Sequence, residues 1–338
     1  MDKYYIDSQK LQFHPKRITK WLNGEPIGPI YVEISPIGAC QHRCVFCALD
    51  FMGYKRRKLD IGLLEATFGE MAGVGTKSVM FAGEGEPLLH GDIAEIVRTA
   101  VLSGLDVAIT TNGGLLKQEL AEKILPYCHW IKTSVDAGFP GTYAKLHGVK
   151  ENKFYQTLRN MERAASIRER NQYPCVLGFQ MLWLPENRDE VFELAKMAKN
   201  IGMDYLVIKP YSQHPSSDAP YGDIDYSSWT ERVEIDGFPI IYRTNTADNA
   251  ERAYDKCYAL PFWAYLDSGG GLWSCSAHLG NKAFYYGNIK KQPFSDMVWT
   301  INKPTPDCTE CRKMCRMDAC NRYLWALKEE PPKHVNFI

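Results

Sequence analysis

No run of about 18 apolar residues occurs in the 338-residue chain, so no stretch is long enough to cross a bilayer as a helix. The first ten residues are polar and mixed in charge, without the apolar stretch of a secretory signal. A cytoplasmic protein with no membrane partner is expected. Charge of one sign is not in surplus either, since Lys plus Arg and Asp plus Glu both total 40. Proteins that live on nucleic acid usually carry a basic excess to displace counterions, so a polymeric nucleic acid is not the expected partner. Internal repeats and low-complexity tracts are lacking. With 45% hydrophobic residues, the chain can bury one large core plus a smaller one. Cysteine is abundant: eleven, at 40, 44, 47, 128, 175, 257, 275, 308, 311, 315 and 320. In a reducing compartment an odd, clustered set points to metal binding rather than disulfides.

Residues 1–29 read as an N-terminal extension ending in the Gly24–Pro29 turn. Strand and helix patterns then alternate. Strands are expected over 30–34, 78–81, 106–110, 129–135, 176–184 and 205–208, with helices over 61–74, 93–103, 115–125 and 189–199. Phe154, Leu158, Met161 and Ala165 recur at helical spacing and predict one more helix. Parallel neighbours need long connections, so this is an α/β chain with a parallel sheet. Six units are too few for a closed eight-stranded barrel. A partial (β/α)6 barrel over 30–210 is the natural reading, and a doubly wound sheet is the alternative. Residues 211–250 lose periodicity and read as a linker with short β segments, Ile240–Tyr242 among them. Residues 251–325 hold the remaining cysteines, with a β-hairpin around the turn Asp267–Gly271. Residues 326–338 are a tail.

The first cysteines, Cys40, Cys44 and Cys47, follow the first strand directly in the spacing Cys-x-x-x-Cys-x-x-Cys. Three thiolates this close can hold one face of an iron-sulfur cube and leave a fourth iron open. The alternative is a zinc knot with His42 as a fourth ligand. The motif, with Phe46 before its last cysteine, resembles that of the radical S-adenosylmethionine (SAM) superfamily. Later strand ends extend the resemblance over residues 30 to about 210. Gly83, Gly85, Glu86 and Pro87 resemble the Gly-Glu-Pro motif that receives the SAM amino group, with Glu84 in place of the usual first Gly. The segment is even closer to the Gly-x-Gly-Glu-Pro of rRNA adenine methylases. Thr111 and Asn112 after the third strand, Ser134 after the fourth and Asn187 after the fifth match the superfamily's polar strand ends. The resemblance implies that Ser134 approaches the SAM carboxylate or ribose, and that Asn187 faces the ribose. Each polar strand end has a plainer reading as an Asx turn or helix cap.

The later cysteines, Cys257, Cys275, Cys308, Cys311, Cys315 and Cys320, resemble the SPASM and twitch domains appended to many radical SAM enzymes. Six cysteines fall one short of a full SPASM set, which implies the twitch type with one auxiliary [4Fe-4S] cluster. Cys257, Cys275, Cys308 and Cys311 are its expected ligands. Cys315 competes for a place, and a zinc ribbon is the alternative. Cys128 and Cys175 fall near strand starts and read as core residues. The resemblance implies an oxidoreductase that cleaves SAM and takes hydrogen from a small polar substrate. An epimerase, a peptide-modifying maturase and a non-catalytic iron-sulfur or zinc scaffold are the other readings. No catalytic base is assigned, although Lys209, Tyr211, His214 and Asp136 lie where a substrate could reach. Molybdenum-cofactor cyclases share the layout but end in Gly-Gly, whereas this chain ends His334-Val-Asn-Phe-Ile338. The basic run Lys55–Lys58 reads as a solvated loop or as a contact for an electron donor such as flavodoxin or ferredoxin.

Overall fold

The computed structural model describes residues 3–6, 8–222, 224–229, 231–243, 252, 254–299, 305–309, 311, 314–329, 331 and 333–337. Six strands and their crossover helices fall close to the expected positions: β1 (Tyr31–Ile34), β2 (Ser78–Phe81), β3 (Asp106–Thr111), β4 (Cys128–Ser134), β5 (Val176–Trp183) and β6 (Tyr205–Pro210). They pair in sequence order, all parallel. Four further strands follow from the last third of the chain. β7 (Ile240–Tyr242) adds parallel to β6. β8 (Trp263–Leu266) adds parallel to β1 on the opposite edge. β9 (Gly271–Trp273) turns back on β8, and β10 (Tyr285–Asn288) pairs antiparallel with β9. The cysteine-rich segment therefore extends the barrel's own sheet, giving ten strands in the order β10-β9-β8-β1-β2-β3-β4-β5-β6-β7.

Alternation along each strand sorts side chains to two faces. Val32 and Ile34, Val79 and Phe81, Val107 and Ile109, Leu177 and Phe179 all point to the helices and join one core. The partner set, including Glu33, Met80, Thr110, Lys132 and Ser134, turns into the lumen. Helices α1 (Pro15–Leu22), α2 (Ile61–Gly73), α3 (Ile93–Leu102), α4 (Gln118–Ile124), α5 (Pro140–His147), α6 (Asn152–Asn171) and α7 (Val191–Asn200) precede or separate these strands. Asp60 starts α2 by accepting the Leu63 N–H at 3.1 Å, a standard N-cap. α2 then buries Leu64, Phe68 and Met71, each worth about 1.5–3 kcal/mol when withdrawn from water. α6 buries Phe154, Thr157, Met161, Ala164 and Ala165 at helical spacing. Two short helices, α8 (Phe294–Val298) and α9 (Asp318–Lys328), close the C-terminal region.

The sequence reading did not include α1 or α5. α5 carries Pro140 in its first turn and ends on Gly148 in the left-handed conformation, the usual asymmetry of helix ends. It stands after the fourth strand and carries part of the site. Cys128 and Cys175 are each 2% exposed in the core.

Candidate active site

The loop of Cys40, Cys44 and Cys47 leaves β1 and crosses the C-terminal ends of the parallel strands, where such sheets place their ligands. α5 fixes its backbone: Arg43 N donates to His147 O at 3.1 Å, and Val45 N to Leu146 O at 2.9 Å. The turn at Gly148 brings the two chains so close that a Cβ there would lie 2.4 Å from Arg43 O. On the other side, Glu86 N donates to Ala39 O at 2.8 Å. Phe46 is buried against Leu146, Leu184 and Tyr211.

Burial is the largest cause that raises the pKa of Cys40 and Cys44, and the neighbouring thiols of the set raise both further. Burial pushes the Cys40 thiol up to about 11. Two donors are already aimed at the first sulfur: His42 N at 3.4 Å and Asn112 Nδ2 at 4.0 Å from Cys40 Sγ. Three crowded thiols with N–H donors around them suit thiolates held on a cationic metal centre, whose charge offsets the cost of burial. The zinc alternative also has a structural counterpart. Ligand atoms of His42, Cys44 and His147 lie within 4.8 Å of one another. That trio leaves out Cys40 and Cys47, so the three-cysteine set accounts for more of the loop.

Beside the loop a cavity of about 380 Å³ opens along the lumen. Phe46, Cys47, Gly83, Thr110, Ser134 and Gln180 are on its wall. Gly83 has φ +88°, and a Cβ there would meet Ser35 Oγ and Tyr265 Oη at 2.3 Å. Ser134 Oγ accepts from Gln180 Nε2 at 3.2 Å.

Other expected contacts are placed differently. Glu86 is 2% exposed, and its carboxylate accepts from Thr111 Oγ1 at 2.5 Å, Asn112 N at 2.8 Å and Leu88 N at 3.1 Å. Its oxygens tie the loop after β2 to the end of β3. Pro87 is buried in the following turn. Thr111 and Asn112 serve the same junction, with Asn112 Oδ1 accepting from Gln41 Nε2 at 2.9 Å. Asn187 is fully buried. It accepts from Leu184 N and donates to Asp136 O and Leu182 O, so it braces the β5 end. Lys209 and Tyr211 line the cavity, and Asp136 and His214 are buried.

Glu84, the residue that departs from the usual motif, has a role that sequence reading missed. It is 2% exposed and holds Arg57 at 3.0 Å, and it accepts from Ser268 N at 2.8 Å. Arg57 Nε donates to Ser268 Oγ at 2.7 Å, so this arginine, half-buried, ties two loops together where a solvated loop was one reading. The strand-end loop is thereby fastened to the C-terminal hairpin.

Cys257, Cys275, Cys308, Cys311 and Cys315 converge on one small cavity beneath that hairpin. Each of three sulfurs has a donor 3.4 Å away: Asn321 Nδ2 at Cys257, Ala277 N at Cys275 and Met317 N at Cys315. Contact with Cys308, then burial, drives the Cys257 thiol up. These features fit a second metal centre by the same reasoning. Cys320 lines a different cavity at the base of the lumen.

Comparison with known proteins agrees with this geometry. Residues 34–198 match the model of the Radical SAM superfamily. GTP 3',8-cyclase of Chlorobaculum tepidum is 34% identical over 193 residues, covering 54% of this chain and 55% of that protein. The chain thus spans about half the length of the curated relatives it matches first. Fe-coproporphyrin III synthase of Methanosarcina barkeri is 23% identical over 331 residues, covering 88% of this chain and 79% of the relative. Among solved structures, Streptococcus suis SuiB bound to S-adenosylmethionine aligns with TM-score 0.65 at 18% identity, over 86% of this chain and 70% of that one. At that identity the likeness concerns the fold. The chain therefore carries a radical SAM superfamily domain, whose cofactors are a [4Fe-4S] cluster and S-adenosylmethionine.

Proposed function

We propose that this chain reductively cleaves SAM and uses the resulting radical to take hydrogen from a small polar molecule in the lumen, with net oxidation of that molecule. The observation that carries this reading is the shared cavity, which joins Phe46 and Cys47 of the cluster loop to the strand ends at Gly83, Thr110 and Ser134. With its cofactors bound, such a centre would supply one electron to SAM, whose cleavage to methionine would give a 5′-deoxyadenosyl radical able to take hydrogen from unactivated carbon. The chain's own residues set the stage. Gly83 keeps its wall clear of a side chain. Ser134 and Gln180 offer hydrogen-bonding groups to a ribose or carboxylate, and Leu49, Leu182 and Tyr211 restrict water.

The converging cysteines support an auxiliary [4Fe-4S] cluster on Cys257, Cys275, Cys308 and Cys311, with Cys315 as the competing ligand. Such a centre would accept the substrate's second electron. A sugar, cyclitol or nucleotide derivative fits the cavity size, and the two relatives above are named for small molecules rather than peptides. Lys55, Arg56 and Lys58 are exposed beside the cluster loop and suit an acidic electron donor such as flavodoxin or ferredoxin. Anaerobically reconstituted protein with dithionite should release 5′-deoxyadenosine and methionine from SAM. The Cys40→Ala, Cys44→Ala, Cys47→Ala triple variant should release none. Undiminished cleavage by that variant defeats the reading.

A further inference from the structure

The wall between the lumen and the cysteine pocket is one residue thick in two places. Cys275 lines the pocket and Ser276 the lumen. Cys315 lines the pocket, while Met314 before it and Arg316 after it line the lumen. Among these five residues Arg316 alone carries a fixed charge. Its Nη1 donates to Glu33 Oε2. The guanidinium carbon stands 4.0 Å over the Trp263 ring, and that ring also lines the cysteine pocket. Nε and Nη2 are buried and have no hydrogen-bond partner among the described residues. Glu33 therefore takes one of the three nitrogens and leaves two desolvated. Burial lowers the Arg316 pKa, but Glu33, Tyr31 and, last, Cys275 outweigh it, so the guanidinium stays charged.

Buried N–H groups without an acceptor are costly. A negatively charged iron-sulfur centre on the neighbouring cysteines would offset that cost, and the benefit is mutual. Reduction adds one negative charge to such a centre. A fixed cation beside it favours the reduced form, and low-dielectric surroundings strengthen the effect. Glu33 works the other way, because its carboxylate offsets the guanidinium.

We infer that Arg316 poises the auxiliary centre to accept an electron from the lumen, by placing a fixed positive charge in the wall between the two. It is a positioning residue, since it acts on the substrate's electron only through that centre. This rests on the auxiliary-cluster reading and adds the residue that sets the cluster's redox level. Potentiometric titration followed by electron paramagnetic resonance tests it, in the full chain carrying Cys40→Ala, Cys44→Ala and Cys47→Ala, so that only the auxiliary signal is present. Arg316→Gln should lower the reduced-to-oxidised ratio at a fixed solution potential about tenfold, a fall in midpoint of about 59 mV. Glu33→Gln should move the midpoint upward, and Arg316→Lys should stay near the starting value. Iron content of about four per chain and an unchanged line shape check that the centre is intact. The inference is overturned if Arg316→Gln with full iron leaves the midpoint in place or raises it, or if Arg316→Lys falls as far as Arg316→Gln. Should Arg316→Gln lose its iron, Glu33→Gln decides, and a midpoint that does not rise overturns the inference. A triple-alanine protein without an iron-sulfur centre defeats the auxiliary-cluster reading itself, whereas a full centre with unmoved midpoints defeats this inference alone.

Discussion

At Gly85 the backbone turns left-handed, with φ +75°, and a Cβ would lie 2.1 Å from Ile37 O and 2.8 Å from Ala39 O. Those oxygens belong to the stretch that delivers Cys40, so they cannot retreat without moving a cluster ligand. Left-handed geometry alone costs a non-glycine residue about 1–2 kcal/mol, and the overlap adds to it. Gly85→Ala should therefore lose about 2 kcal/mol or more of stability and reconstitute with less iron. A wild-type melting curve with full iron would show that the two loops are not so tightly joined. The sequence displayed Gly85 as part of a motif, but it could not display Glu84. The Glu84 partners Arg57 and Ser268 stand 27 and 184 positions away, and no local pattern encodes a contact at that range. Asn187 was visible as a residue, but its bonding was not. Its position after β5 matched a ligand, yet nearby backbone groups consume both ends of its amide.

Short β-branched and apolar stretches set between helical patterns made β1 to β6 legible, even though their lumen-facing positions carry Glu33, Thr110, Lys132 and Ser134. The Gly-rich turn likewise marked the β8–β9 hairpin. What stayed hidden was partnership: nothing in residues 263–266 says that they lie parallel to β1. The short helix α5 escaped because eight residues give little periodicity to detect. Pairing of β8 with β1 has a testable result. A chain ended at residue 250 would leave the N–H and C=O groups of the β1 edge without partners, an invitation to pair with other copies. Such a fragment should collect in the insoluble fraction, while the full chain stays soluble under the same expression conditions. A soluble, cluster-loading fragment in a sedimentation assay would contradict the role given to β8.

For the molecule as a whole, two sets of converging thiols predict two centres. Reconstituted protein should hold about eight irons per chain, from two four-iron clusters. Its Cys40, Cys44 and Cys47 triple alanine variant should keep about four. One equivalent of zinc with about four irons would instead assign the C-terminal cysteines to a ribbon, and about twelve irons would require a third cluster. The placement of β8 also has a consequence in time. Tyr31 is synthesised about 230 residues before its sheet partner Trp263, which at roughly 5–20 residues per second is some ten to fifty seconds. Throughout that interval the Glu84 clamp lacks Ser268, and the loop bearing Cys40, Cys44 and Cys47 has not received its final fastening. The contacts that fasten the Cys40 loop to the hairpin thus form only after the last quarter of the chain has been made.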